Sequence, residues 1–234
     1  MHIVNERQRA LMAWLIEKLG LPGDPDTANT QALIETALGT VQRDGVDKLI
    51  AYLAGSDYYR APASTRFHGN YAGALAEHSL NVTALLLQKN EQLSLGIPQE
   101  SCLLAGLCHD LCKVNFYSVD YRNQKVYAPN GLKSDQKGRF DWQTVPVFVI
   151  EDTFPCGHGE KSVIMLQNFM RLTQEEILMI RWHMGPFSSP NDYDFSNAVD
   201  FKPEIVALFT ADMEASALFE ETRCQGGKTC SKNI

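Results

Sequence analysis

Residues 101–112 are apolar on nearly every side, and this segment constrains the fold more than any other stretch of the chain. Pro98 and Glu100 stand where a helix would begin, so the segment predicts a helix without a solvent-facing side. Such a helix belongs in the middle of a core. It nevertheless ends on His109 and Asp110, two polar groups that are costly to bury unless they are paired or bind a metal.

Helical spacing of apolar residues recurs on both sides of this segment. The pattern predicts further helices at about residues 3–19, 27–42, 46–53, 71–93, 159–170, 173–184 and 203–221. Thr173 and Glu176 have the spacing of a capping box. Residues 55–69 and 185–201 are rich in small, turn-forming and polar residues, and we expect loops there. The fold class predicted by these patterns is mainly α.

Residues 114–153 break the helical pattern. Two stretches rich in β-branched and aromatic residues flank a connector that contains Gly, Pro, Asn and Asp. This pattern predicts two strands joined by a long loop, a β-hairpin inserted into a helical protein. Pro146 lies in the second stretch and predicts an edge strand or a bulge, because proline cannot donate a hydrogen bond to a strand ladder.

The 234 residues suffice for one domain with a sizeable core. We expect N-terminal helices over residues 1–54 that pack on a core domain over residues 55–221. The hairpin is then an insertion at about 114–153, and residues 222–234 form a polar, flexible tail.

Charge and apolar content limit the classes of partner. Lys and Arg number 21 against 28 Asp and Glu, a net charge of −7, so we do not expect a long nucleic acid as a partner. No apolar run approaches the roughly 18 residues that cross a bilayer, and the N-terminus lacks a secretory pattern, so we expect no membrane contact and a cytoplasmic location. Cys102, Cys108 and Cys112 lie in apolar sequence and are predicted to be buried thiols.

Further polar residues are predicted to point into the core. His78 shares a helical face with Val82, His183 shares one with Ile180, and Asp212 also lies on an apolar stripe. One buried histidine is more often a satisfied core residue than a ligand. Several imidazoles and carboxylates that converge on one interior instead favour a site for Zn, Fe, Mn, Ni or Co.

The runs AEHS, CHDLCK and FTADME resemble the H…HD…D signature of the HD superfamily of metal-dependent phosphohydrolases. GHGEKS and RWHMG resemble the additional histidines of the dinuclear branch of that superfamily. The resemblance covers roughly residues 55–220. It implies an HD-domain helical bundle that carries two divalent transition-metal ions (Fe, Mn, Zn, Ni or Co), with Mg as a further option.

The resemblance also implies roles for individual residues. The metal ligands would be His78, His109, Asp110, His158, His183 and Asp212. Asp110 would bridge the ions and orient the attacking water, and Lys113, one helical turn further, would offer a positive charge to a phosphate. A solvated lysine at a helix end is the alternative for Lys113. Arg66, His68 and Arg181 lie next to ligand segments and are candidates for contacts with the substrate; for each of them, an ordinary charged residue on the protein surface is the alternative.

The function implied by the resemblance is that of an enzyme, a phosphatase or phosphodiesterase. It would hydrolyse a phosphomonoester or phosphodiester of a small nucleotide-like substrate through a hydroxide activated by two metals. Two alternatives stay open. A di-iron oxygenase on the same scaffold uses the same ligands, and a non-catalytic module could bind a nucleotide without turnover. The sequence leaves the substrate, the metal and the oligomeric state open.

Overall fold

The computed structural model describes residues 5–65, 69–188, 192–220, 223–224 and 228–229. Within them lie the helices α1 (Glu6–Leu19), α2 (Thr30–Leu38), α3 (Val46–Gly55), α4 (Ala74–Gln92), α5 (Gln99–Cys108), α6 (His158–Gln167), α7 (Gln174–Arg181), α8 (Asp192–Phe201) and α9 (Ile205–Glu214). Short 3-10 turns lie at Leu111–Lys113 and Gly185–Ser188, and a π-helical turn lies at Ala215–Phe219. The strands are β1 (Tyr117–Tyr127), β2 (Lys133–Asp135), β3 (Gly138–Ile150), β4 (Arg223–Cys224) and β5 (Lys228–Thr229).

Helix α4 is the centre of the bundle, and it is buried on every side over residues 74–87. Helices α1, α2, α5 and α9 pack around it. The contact with α5 is very close, because a Cβ on Gly106 would lie 2.7 Å from the Cα of Thr83. Only glycine permits this spacing without a shift of one helix. Helix α5 is itself buried over residues 101–108, which confirms the prediction of a core helix.

Helices α6 and α7 form a second tightly packed pair beside α5 and α9. A Cβ on Gly159 would lie 2.7 Å from the carbonyl carbon of Arg181, so a glycine again sets the distance between two helices. The predicted capping box at the start of α7 is confirmed. Thr173 Oγ1 accepts from the backbone N–H of Glu176, and the Glu176 carboxylate accepts from the backbone N–H of Thr173.

The hairpin is confirmed, but it has three strands rather than two. Strand β1 pairs antiparallel with β3 along the full length of β1, from Tyr117 opposite Ile150 to Tyr127 opposite Phe140. The predicted loop between them contains β2, which folds back onto the first residues of β3. Since β2 reaches only as far as Phe140, β1 is the one described strand that pairs with β3 at Pro146. The prediction that this proline lies on an edge is therefore confirmed.

Several helix boundaries and one loop differ from the predictions; the helix expected at about residues 27–42, for example, is Thr30–Leu38. Residues 185–201 were expected to form a loop, yet residues 192–201 form α8. The turn-like composition hid this helix, whose Phe195 packs against Trp182 and Phe209 at ring-centroid distances of 5.7 and 5.8 Å. The helix predicted over residues 101–112 ends at Cys108, and the last helix gives way to the π-helical turn after Glu214.

The fold is a mainly α bundle with an inserted β-hairpin, as predicted. Leu15, Ile34 and Leu49, from the first three helices, are fully buried in the same apolar cluster as α4 and α5. The division of the chain into segments at residues 54 and 221 stays a prediction. Cys102 and Cys108 are buried, as is Cys112. In the described part of the chain, no helix combines the length and apolar character needed to cross a membrane.

Candidate metal centre

The structure brings all six predicted ligand side chains together. They are His78 in α4, His109 and Asp110 directly after α5, His158 at the first residue of α6, His183 two residues after α7, and Asp212 in α9. The close α4–α5 contact, made possible by a glycine, places His78 near His109. The close α6–α7 contact, also made possible by a glycine, places His158 near His183. Most of the six are buried, whereas the side chain of His158 is 31% exposed.

Asp110 lies between two pairs of histidines. Its Oδ2 is 3.6 Å from Nε2 of His78 and 3.5 Å from Nε2 of His109, which we call the inner pair. Its Oδ1 is 2.8 Å from Nε2 of His158 and 3.6 Å from Nε2 of His183, which we call the outer pair. Each carboxylate oxygen therefore faces nitrogen atoms of a different pair, which is the arrangement a bridging ligand requires.

Asp212 adds a second carboxylate beside the inner pair, with Oδ1 3.2 Å from Nε2 of His78. The potential ligand atoms form three overlapping groups, each within 4.8 Å: His78, His109 and Asp110; His109, His183 and Asp212; and Asp110, His158 and His183. Groups of imidazole nitrogens and carboxylate oxygens at this spacing can hold divalent transition metals.

Backbone carbonyls fix the orientation of two of these rings. His109 donates from Nδ1 to the carbonyl of Gly106 at 2.8 Å, and His183 donates from Nδ1 to the carbonyl of Ile180 at 2.7 Å. Because a carbonyl can only accept, Nε2 of each ring turns its lone pair toward the cluster. Nε2 of His183 is buried and has no hydrogen-bond partner among the described residues. A metal ion would satisfy this nitrogen, so the site fits a divalent cation.

Glu220 is part of the site, although the sequence did not reveal it. Its Oε1 accepts from Nδ1 of His78 at 2.8 Å and from Nδ2 of Asn81 at 3.1 Å, and its side chain is 5% exposed. The π-helical turn ends at Phe219, and Glu220 has an extended backbone. The spacing of apolar residues predicts an α-helix to residue 221, and that prediction does not place the Glu220 side chain next to His78. Helical periodicity does not report a π-helical turn.

His78 and the two carboxylates next to it stabilise one another in the charged form. Burial alone would lower the pKa of His78, but the Glu220 and Asp212 carboxylates outweigh it and raise this pKa to about 10. Burial would raise the pKa of Asp212, yet the hydrogen bond and charge of His78 hold it below its usual range. Burial lowers the pKa of His109, which keeps that ring neutral. A neutral imidazole is the form that coordinates a metal.

Lys113 connects the cluster to a cavity of about 670 Å³. Its Nζ donates to Oδ2 of Asp110 at 2.6 Å. Burial opposes the charge of Lys113, but attraction to Asp110 is stronger and raises the pKa of the ammonium group, which keeps it charged. Lys113 lines the cavity together with His158, His183 and Asp212. The cavity therefore opens onto the outer pair and onto Asp212, which also faces His78 of the inner pair.

The structure separates the candidates for substrate contacts. Arg181 pairs with Glu160 at 2.6 Å and lies over the ring of Trp182, 4.1 Å from its centroid. It is not among the described residues that line the cavity. Arg66 and His68 lie outside the described residues, so their predicted contacts stay predictions.

A family model for the HD domain matches residues 75–213. The chain belongs to the HD domain family. Searches among curated proteins and among solved structures returned no match. The matched range of the HD domain runs from α4 to α9 and contains all six clustered residues, so the predicted superfamily of metal-dependent phosphohydrolases is confirmed. Helices α1 to α3 lie outside the match, as does Glu220.

Proposed function

We propose that this HD domain hydrolyses a phosphomonoester or phosphodiester of a small nucleotide-like substrate, with two divalent metal ions as cofactors. The family supports metal-dependent phosphohydrolase chemistry in general. The observation that carries the proposal is the position of Asp110, whose two oxygens face different pairs of histidines. A single ion would need only one of those oxygens.

The donor atoms divide naturally between two ions. One ion would be held by His78, His109, Asp212 and Oδ2 of Asp110, and the other by His158, His183 and Oδ1 of Asp110. Imidazole and carboxylate ligands suit Fe, Mn, Zn, Ni or Co. Such ions, when bound, lower the pKa of water toward neutrality and neutralise phosphate oxygens.

The surrounding residues position the substrate. Lys113 places a positive charge at the cavity wall, where its ammonium group can donate a hydrogen bond to a phosphoryl oxygen. Asp110 keeps this ammonium group charged and orients it through their 2.6 Å contact. Because the inner pair is buried, water reaches the cluster from the side of the cavity. Lys113 favours an anionic substrate such as a phosphate ester over a neutral substrate such as a polyol.

The test is phosphate release from a panel of nucleotides and simple phosphate esters, after loading the metal-free protein with each candidate ion. We expect turnover in the wild type and a loss of about 10²-fold or more in Asp110→Asn, because the bridging charge is removed. Asp135→Asn is the matched control, since Asp135 pairs with Lys125 on the hairpin, away from the cluster.

Other outcomes would contradict the proposal. Oxygen consumption by the iron-loaded protein without phosphate release would identify an oxygenase instead. Nucleotide binding without turnover under any metal would identify a binding module. Unchanged activity in Asp110→Asn would show that the clustered carboxylate is not part of the reaction.

A further inference from the structure

Large apolar side chains gather around the cavity beside the metal centre. Phe187 is 79% exposed, Ile150 60% and Met213 51%, and all three line the cavity. Exposed apolar side chains are ordinary when they are scattered singly. Several of them around one concave site are typical of a surface that binds a ligand.

Part of this lining is a row of aromatic rings. Phe187 packs against Phe209 at a centroid distance of 6.5 Å, and Phe209 packs against Phe195 at 5.8 Å. Phe187 and Phe209 line the cavity, whereas Phe195 supports the row from α8. A flat ring of a ligand can extend such a row through offset or edge-to-face contacts.

We propose that the organic part of the substrate carries a flat aromatic ring, which packs against Phe187, Phe209 and Met213. This inference rests on the proposed hydrolysis, because the reacting phosphate must lie at the metal end of the cavity, near Lys113. The cavity volume of about 670 Å³ is within the range of sites that enclose a small organic ligand.

The decisive comparison uses phenyl phosphate and methyl phosphate as substrates of the metal-loaded protein. We expect a KM for phenyl phosphate at least about tenfold lower, since only this ester carries a ring. Phe187→Ala should raise the KM for phenyl phosphate about fivefold more than it raises the KM for methyl phosphate, because only phenyl phosphate carries a ring that contacts Phe187. Phe201→Ala is the matched control, because Phe201 is 59% exposed on α8 and does not line the cavity.

Equal KM values for the two esters, or equal effects of Phe187→Ala and Phe201→Ala, would overturn the inference. A second measurement, fluorescence titration with anilinonaphthalene sulfonate, needs no turnover. We expect one saturable site, weakened by Phe187→Ala and not by Phe201→Ala. Such binding without hydrolysis of either ester would overturn the proposed hydrolysis and support the aromatic site. Dye binding that is the same in both variants would contradict the aromatic site itself.

A separate observation concerns Glu220. The structure assigns it as a positioning residue for His78, because its carboxylate accepts from Nδ1 at 2.8 Å and thereby directs Nε2 toward Asp110 and Asp212. Carboxylates behind metal-binding histidines fix the tautomer and the ring orientation in this way.

Buried amides hold Glu220 in place. Asn81 donates from Nδ2 to Oε1 of Glu220 at 3.1 Å, and Gln8 of α1 donates from Nε2 to Oδ1 of Asn81 at 3.4 Å. Gln8 and Asn81 are 1% and 0% exposed. This connection runs from α1 to His78 through residues on both sides of the matched HD range, so elements outside that range help to orient the metal centre.

The test is metal affinity, measured by competition with a chromophoric chelator, together with the thermal unfolding of the metal-free protein. Glu220→Ala should weaken the binding of one ion by about 10–100-fold, and Glu220→Gln by less, because glutamine retains an acceptor. Glu214→Gln is the matched control, since it loses a 2.7 Å ion pair with Lys89 near the same helix end without contact to His78. Unchanged affinity in Glu220→Ala, with or without a lower Tm, would overturn the assignment.

Discussion

The inner and outer pairs of histidines face the same carboxylate from different surroundings. His78 and His109 are almost fully buried, and Glu220 stands behind His78. His183 is as deeply buried as His109, but His158 is 31% exposed, and both line the cavity. His158 has the thiol of Cys112 rather than a carboxylate next to its Nδ1, at 3.5 Å. The inner pair is therefore enclosed by protein, whereas the outer pair is open to the cavity through His158.

This difference suggests a division between firm metal binding at one pair of histidines and access for a substrate at the other. Enclosed sites with complete ligand sets bind metals firmly, and catalytic sites keep a position open. We therefore expect the ion at the inner pair to bind more tightly than the ion at the outer pair. The cavity would give a substrate access to an ion at the outer pair.

The largest effects should come from removing one histidine of each pair. His109→Ala and His183→Ala should each lower turnover by about 10²-fold or more, because both ions take part in the proposed reaction. Their metal contents should differ. His183→Ala should retain one ion per chain through dialysis, and His109→Ala should retain less, as elemental analysis can measure. Equal retention in the two variants would break the distinction between the pairs.

The glycines at the two helix contacts provide the next test. Gly106→Ala inserts a methyl group against Thr83, so we expect a loss of about 1–3 kcal/mol in the free energy of unfolding. Gly159→Ala inserts a methyl group against the backbone of Arg181, and we expect a similar loss in the free energy of unfolding. This variant should move His158 away from His183 and leave the inner pair in place. Urea denaturation measures both. Gly55→Ala is the control, because a Cβ there meets nothing within 4 Å. Equal costs at Gly55 and Gly106 would contradict the packing argument.

The fold was predictable wherever the signal was local. The 3.6-residue spacing and the β-branched stretches located the core helix and the hairpin. His78 and Asp212 were recognisable because a polar residue in an apolar stripe needs a partner. Helix α8 was missed because Phe195 is held by tertiary contacts with Trp182 and Phe209. Glu220 was missed because a π-helical turn brings it to His78.

The affinity for an ion at the inner pair should depend on pH. The pKa of His78 is raised to about 10, so its ring is protonated at lower pH and must lose this proton to coordinate a metal. The affinity for the inner ion should therefore rise by about tenfold per pH unit from pH 6 to 9, and chelator competition can measure it. An affinity that stays flat over this range would show that His78 does not release a proton on binding.

The smallest expected effect concerns Cys112, which lies next to the outer pair. Burial raises the pKa of this thiol to about 12, so almost none of it is thiolate at pH 8. We expect iodoacetamide to modify the exposed Cys156 well before Cys112, and metal loading to slow Cys112 further. Peptide mapping by mass spectrometry gives both rates. Equal rates would show that the outer pair opens more widely than the structure indicates.

The paired ends of the hairpin have a consequence for how the molecule can be altered. The chain leaves the metal centre after Lys113 and returns at His158, and the ladder closes between these points, where Tyr117 lies opposite Ile150 and Glu151 donates to the carbonyl of Phe116 at 2.9 Å. The first residues of β1 and the last residues of β3 are therefore held together by their own hydrogen bonds, which do not depend on the length of the strands beyond them. We therefore expect that the far end of the hairpin can be shortened, or replaced by a reporter, while the metal centre is kept.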